Sequence, residues 1–311
     1  MKIYRDAESF EKLSGSVVTS GTFDGVHVGH QKILERIREV ADETKSETVL
    51  ITFWPHPRLI LNPDDESLKL LSTFEEKAAL LEKYGIDHLL QIPFTKEFSR
   101  LSSEDFIRNI LIDAIDTKKL VIGYDHRFGR NREGSFEHLQ KNAGRYGFTV
   151  EEIPRQDIDS SAVSSTKIRN ALSVGDVTTA SEYLGRYYAL TGEVVHGDKI
   201  GRELGYPTAN IRPHYAYKLI PAHGIYAVEA DVQGVTYGGM LNIGTRPTFN
   251  GKRETIEVFI FDFERVIYGE EITLRFVRRI RDELNFSSRE ELIAAMQNDE
   301  VVCRKVLGYS K

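Results

Sequence analysis

With 311 residues and 41% hydrophobic content, the chain is longer than one ordinary core requires and is expected to form two domains. Its 41 basic and 47 acidic side chains leave a net charge of −6, which argues against broad binding to a nucleic-acid backbone and leaves small anions open. A single cysteine, Cys303, excludes an internal disulfide, the start MKIYRDAESFEKL is charged, and no apolar run is long enough for a bilayer, so a cytoplasmic protein without nucleic-acid or membrane partners is expected.

From Ser16 to about Pro154, β-branched runs alternate with helical patterns. SVVTSGTF, ETVLITFWP, DHLLQIPF, KLVIGYDHRFG and FTVEEIP read as strands. In QKILERIREVADETK, residues Ile33, Leu34, Ile37, Val40 and Ala41 form one apolar face, and FEEKAALLEKYG, SEDFIRNILIDAI and EGSFEHLQKNAGRYG repeat the pattern. Such alternation predicts an α/β, Rossmann-like domain with a parallel sheet covered on both faces, binding ligands beyond the strand carboxyl ends. After Arg186 the pattern becomes strand-like, in YYALTGEVV, GIYAVEADV, VTYGGMLNI, ETIEVFIFDF and EEITLRFVRRI, separated by turn residues. This predicts an antiparallel β-barrel, and SSREELIAAMQNDEVVCRKVL, serine first and acidic in its opening turn, predicts a C-terminal helix. The expected domains are 1–185 and 186–311.

Within the first domain, GTFDGVHVGH follows a strand and leads into a helix beginning near His30. Gly21, Gly25 and Gly29 allow close backbone approach, and free N–H groups at a helix start favour phosphate. His27 and His30 lie three residues apart, so both can serve one phosphate on which charge grows. Downstream, SSTKIR offers Ser164 or Ser165 as a cap, with Lys167 and Arg169 as positive charge beside it. Lys118, Lys119, Arg127, Arg130 and Arg132 form a local basic cluster, which a solvated face would also explain.

GTFDGVHVGH resembles the HxGH nucleotidyltransferases, in their flavin-adenylylating FAD synthetase branch. The resemblance implies that His27 and His30 stabilise the phosphorus transition state without a covalent intermediate. It implies ATP contacts from Gly21, Thr22, Phe23, Asp24 and Gly25 and from Ser165, Thr166, Lys167 and Arg169. It also implies flavin contacts from Phe53, Pro55 and Pro57 in TFWPHP and from Asp125 and Arg127 in GYDHRFGRN. His126 stands where that family more often has an aromatic residue, and Lys167 where arginine is common.

In the second domain, HGDKIGRELGYPTAN combines Gly197, Gly201 and Gly205 with Lys199 and Arg202, as a loop covering ATP requires. Thr208 and Asn210 fall on one face of an extended segment and offer hard oxygen ligands suited to Mg²⁺. This stretch resembles the riboflavin kinase signature, implying a six-stranded barrel, a catalytic base at Glu257, and flavin contacts from Arg281, Glu283 and Phe286 in RIRDELNF. NIGTRPTF extends the match, while Phe259 replaces a frequent histidine and Asn285 a frequently basic residue. The two resemblances together imply the bifunctional riboflavin kinase and FAD synthetase family, with riboflavin, FMN, FAD and ATP as its small-molecule partners. Two alternatives remain open at this point: that one site, more readily the amino-terminal one, is inactive, or that the protein is a non-catalytic flavin binder.

Overall fold

The structure is a computed structural model describing residues 1–64, 68–124, 126–154, 163–197, 200–248 and 251–309. The chain divides into two compact units, Met1–Ser165 and Thr166–Lys311. No described helix is long and apolar enough to cross a membrane.

The first unit is a six-stranded sheet in the order β1-β4-β3-β2-β5-β6, with every neighbouring pair parallel. Its strands are β1 (Lys2–Tyr4), β2 (Ser16–Ser20), β3 (Glu47–Trp54), β4 (His88–Pro93), β5 (Thr117–Gly123) and β6 (Thr149–Ile153). Alternate strand residues enter two separate cores. Val17, Leu50, Leu89 and Val121 meet Leu34 and Ile37 of helix α1 (Val28–Thr44) on one face. Val18, Val49, Leu90 and Leu120 meet Phe106, Ile107 and Leu139 on the other. That two-fold periodicity is why β2 is buried at all five positions. The sequence missed β1, a short edge strand paired with β4. The helix read in SEDFIRNILIDAI is α-helical only over Ser103–Phe106 and winds more widely, as a π-helix, over Ile107–Ala114.

After β2 the chain steps outward through β3 and β4, then returns to place β5 on the other side of β2. The carboxyl ends of β2 and β5 therefore flank the crevice where such sheets hold ligands.

The second unit is a closed barrel ordered β10-β11-β8-β7-β12-β9, all antiparallel where paired. Its strands are β7 (Tyr188–Val195), β8 (Ala209–Pro213), β9 (Gly224–Val232), β10 (Val235–Thr248), β11 (Gly251–Ile260) and β12 (Glu271–Arg281). The terminal helix, Arg289–Leu307, starts at Ser288, whose side chain accepts the Glu291 N–H, and ends at Gly308 with positive φ, matching its sequence signals. It packs on β9, β10 and β12. The helix Val177–Leu184 packs on β7 and β12.

Candidate active sites

At the head of β2 the chain turns through a backbone few residues adopt. Phe23, Gly25 and Val26 have φ of 46°, 83° and 40°, and a β-branched valine there is strained. The surroundings hold this turn in place. The Asp24 carboxylate, 4% exposed, accepts the Leu71 N–H at 3.0 Å and the Ser72 N–H at 3.1 Å. The Ser72 hydroxyl takes the Gly25 N–H at 3.1 Å, and the Ser165 hydroxyl donates to the Asp24 carbonyl at 2.9 Å.

The turn delivers His27 as the N-cap of α1, so the helix starts at Val28, two residues before the expected point. Nδ1 of His27 accepts the His30 N–H at 3.3 Å, which assigns the ring proton to Nε2. The two imidazoles stack with centroids 3.6 Å apart, and Phe23 lies against His30 at 4.7 Å. Two histidines and the open N–H groups of a helix start thus converge, an arrangement that suits a phosphate gaining charge.

A cavity of about 700 Å³ opens beside them, within the range of small-molecule sites. Gly21, Thr22, Phe23, His30, Phe53, Pro57 and Arg127 line it. Phe94, Phe98, Phe106 and Phe128 add an aromatic wall, with Phe53, Phe94 and Phe98 mutually 5.7–5.9 Å apart. His126 lines the same space, its Nε2 2.8 Å from the Ser20 hydroxyl across the crevice between β2 and β5.

In the barrel, Glu257 on β11 lies directly opposite Asn210 on β8 and Asn242 on β10, which puts the three side chains on one face. Glu257 is 8% exposed, so the surface reading of this alternating strand does not apply. Its carboxylate accepts the Thr208 hydroxyl at 3.3 Å and pairs with Arg246 at 2.7 Å. Thr208 lines two cavities at once. One, of about 220 Å³, also holds Glu257, Arg246, Asn242, Arg281, Glu283 and Phe286. The other, of about 420 Å³, is formed by Arg202, Pro207, Ala209, Val258 and the segment 263–268. Asp299 on the terminal helix, 2% exposed, receives three hydrogen bonds from Arg281 at 2.6–3.1 Å, and the Arg281 guanidinium lies 5.9 Å from the Phe286 ring.

Residues 9–167 match the FAD synthetase family and residues 184–307 the riboflavin kinase family. A bifunctional riboflavin kinase/FMN adenylyltransferase of Listeria monocytogenes is 40% identical over 286 residues, covering 91% of this chain and 90% of its own. The Escherichia coli K12 protein of the same name is 35% identical over 314 residues, covering 100% and 99%. The chain belongs to the bifunctional riboflavin kinase/FMN adenylyltransferase family. A solved structure from Streptococcus pneumoniae named as a macrolide-efflux protein has a TM-score of 0.89 at 32% identity, covering 97% of this chain and 98% of its own.

Measured against the family reading, most expected residues gather in the cavities, and several take other places. Asp24 and Gly25, within the turn, line none of the three cavities, and neither do His27 and Asn210; Asp24 fastens the loop instead. Pro55 follows a cis peptide after Trp54 and is also absent from the cavity wall, whereas Pro57 opens a short helix, Pro57–Leu61, at its edge. Thr166, Lys167 and Arg169 follow Ser165 in the helix Ser165–Ser173 and belong to the second unit. Gly197 sits against the Asn210 amide, where a Cβ would collide with it, and Gly201 lines the smaller barrel cavity. Asp125 and Lys199 lie outside the described residues. In the basic cluster, Lys118 pairs with Asp116 and Lys119 with Glu151, as a solvated face would.

Sequence reasoning missed Phe94 and Phe98, Arg246, Asn242 and Asp299 as members of these sites. IPFTKEF carries its two phenylalanines four residues apart after a strand, a visible signal. Arg246 lay within NIGTRPTF, where nothing in the sequence alone pairs it with Glu257.

Proposed function

We propose that the first unit transfers the adenylyl group of ATP to FMN at the head of β2, and that the barrel transfers the γ-phosphoryl group of ATP to riboflavin. The observation that carries the second assignment is Thr208, shared by both barrel cavities and bonded to Glu257. The larger cavity suits the nucleotide. The smaller, with Phe286 and Arg281, suits the flavin. The phosphoryl group then crosses at Thr208, and the Glu257 carboxylate accepts the proton of the ribityl alcohol as its oxygen attacks the γ-phosphorus and ADP leaves.

In the first unit the terminal phosphate of FMN attacks the α-phosphorus of ATP and pyrophosphate leaves. His27, through Nε2–H, and His30 donate to the oxygens on which charge accumulates. The aromatic wall of Phe53, Phe94 and Phe98 suits a flat isoalloxazine ring. ATP contacts from the loop fall to Gly21, Thr22 and Phe23, which line the cavity.

The barrel fits a magnesium ion. Asn242 Oδ1 is buried and has no hydrogen-bond partner among the described residues, lies on the same face as Asn210 and lines the cavity that Thr208 also lines, so this face offers hard oxygens. Thr208 and Asn210 would hold Mg²⁺, which when bound neutralises phosphate charge.

We place the functional boundary at 185/186, after the helices that link the two family matches and before the barrel. The single cysteine, fully buried and with its thiol pushed up to about 12 chiefly by burial, suits action in the cytoplasm. No nucleic acid or membrane enters this scheme. Incubation with riboflavin, ATP and Mg²⁺, followed by chromatography, tests it: FMN should appear and then FAD. FMN alone would retain only the kinase, and no product would favour a flavin-binding protein without turnover.

A further inference from the structure

The helix Phe74–Lys83 begins with a capping box between Thr73 and Glu76, and its inward face is Phe74, Lys77, Ala78 and Leu81. Three of these are what a core-facing stripe calls for, and the fourth is a lysine only 8% exposed. Burying an ammonium is costly unless it is bonded and paired. The Lys77 ammonium donates to the Thr22 carbonyl at 3.1 Å and to the Thr52 hydroxyl at 3.0 Å. Thr52 in turn donates to the same Thr22 carbonyl at 3.3 Å. Thr22 is the last residue before the strained turn of Phe23, Gly25 and Val26.

Lys77 lines none of the three cavities described above, and its ammonium is spent on the Thr22 carbonyl and the Thr52 hydroxyl. Its bonds hold the turn at its entry, as the Asp24 carboxylate and the Ser165 hydroxyl, through the Asp24 carbonyl, hold it at its middle. A turn carrying two non-glycine residues at positive φ persists only where its neighbours over-determine it.

We propose that Lys77 is a positioning residue for adenylyl transfer, bracing the Thr22 carbonyl from beneath so that the turn sets His27 and His30 against the reacting phosphate. The inference rests on the reading that this unit adenylylates FMN. The groups facing the ammonium are the Thr22 carbonyl and the charged Asp24 from the loop, and the Thr52 hydroxyl from β3. Burial lowers the Lys77 pKa to about 8, with Asp24 opposing the fall. The ammonium, with all three of its donors, therefore predominates below that value and is lost as pH rises through it.

The test is Lys77→Met in the full chain. Displacing a catalytic group by about 1 Å costs on the order of 10²-fold, so kcat for FMN adenylylation should fall by about that factor, with riboflavin phosphorylation by the same polypeptide unchanged. The native kcat should also decline above a pH of about 8, and the variant should lack that limb. Native-like adenylylation by Lys77→Met, or an identical alkaline limb, overturns the inference. Should the variant lose the melting transition of the first unit, Thr52→Val takes its place. A drop of about tenfold in the same kcat then supports the brace, since one of its two acceptors has gone, and an unchanged kcat overturns it. If the native protein makes FMN but no FAD, the adenylyl-transfer reading itself fails, an outcome separate from a silent Lys77→Met.

Discussion

Glu257→Gln separates two effects that meet at one side chain. The glutamine keeps the size and one oxygen to accept the Thr208 hydroxyl, but it cannot take a proton and presents a neutral group to Arg246. Arg246 is 33% exposed, so losing the ion pair accounts for about 1 kcal/mol after solvent screening. Losing a positioned general base costs about 10²–10⁴-fold in rate, or about 3–5 kcal/mol. The base term therefore dominates, and kcat for riboflavin phosphorylation should fall by at least about 10²-fold. Chromatographic separation of riboflavin, FMN and FAD measures it, and FMN supplied directly should still become FAD at the native rate. A kcat within about tenfold of native would refute Glu257 as the base, because ion-pair loss alone explains that much.

His30→Ala should lower FAD formation by about 10²–10³-fold while FMN still accumulates, as removing one preorganised donor to developing charge does. In Asp299→Asn, the buried fork to Arg281 loses its charge; because Arg281 is 22% exposed, about 2 kcal/mol is at stake, below the range for fully buried pairs, and the KM for riboflavin should rise by up to about thirtyfold. Gly244→Ala would drive a Cβ into the Glu283 carboxylate and turn that side chain out of the smaller barrel cavity, which a raised riboflavin KM at unchanged adenylylation would register. Hydrogen bonding from Arg36 first, and then Lys119, holds the Glu151 carboxyl below its ordinary 4.5. That stabilisation is present above 4.5 and is lost as pH falls beneath it, so Arg36→Met should lower the urea midpoint of the first unit at pH 6 and narrow its difference from native at pH 3.5.

Much of the fold was legible because it rests on periodicity. Strands β2 to β6 and the α1 face of Ile33, Leu34, Ile37, Val40 and Ala41 follow from apolar spacing; β2 to β5 and that face are largely buried, while β6, at the sheet edge, buries only Ile153. Short or polar elements escaped. β1 is three residues long, and β8 begins in the PTAN segment, which reads as extended but is not counted among the barrel strands. The site was legible where it lies in one contiguous motif, as with His27 and His30, or where a family resemblance supplied a distant partner, as with Glu257. Arg246 and Asp299 reach their sites through pairing across strands and packing of the terminal helix, which no local pattern encodes.

Asp24 and Lys77 fail in opposite directions, and the comparison is instructive. Asp24 sits in the motif and was read as a nucleotide contact, yet its carboxylate points into backbone amides and fastens the turn. Lys77 sits far from the motif at a position where helical spacing asks for an apolar residue, and its ammonium fastens the same turn. A buried charge on an otherwise apolar face is a conflict between local pattern and global fold, and such conflicts persist where something else is gained. Here the gain is a strained loop fastened by two oppositely charged groups, with Gly21, Thr22 and Phe23 lining the cavity.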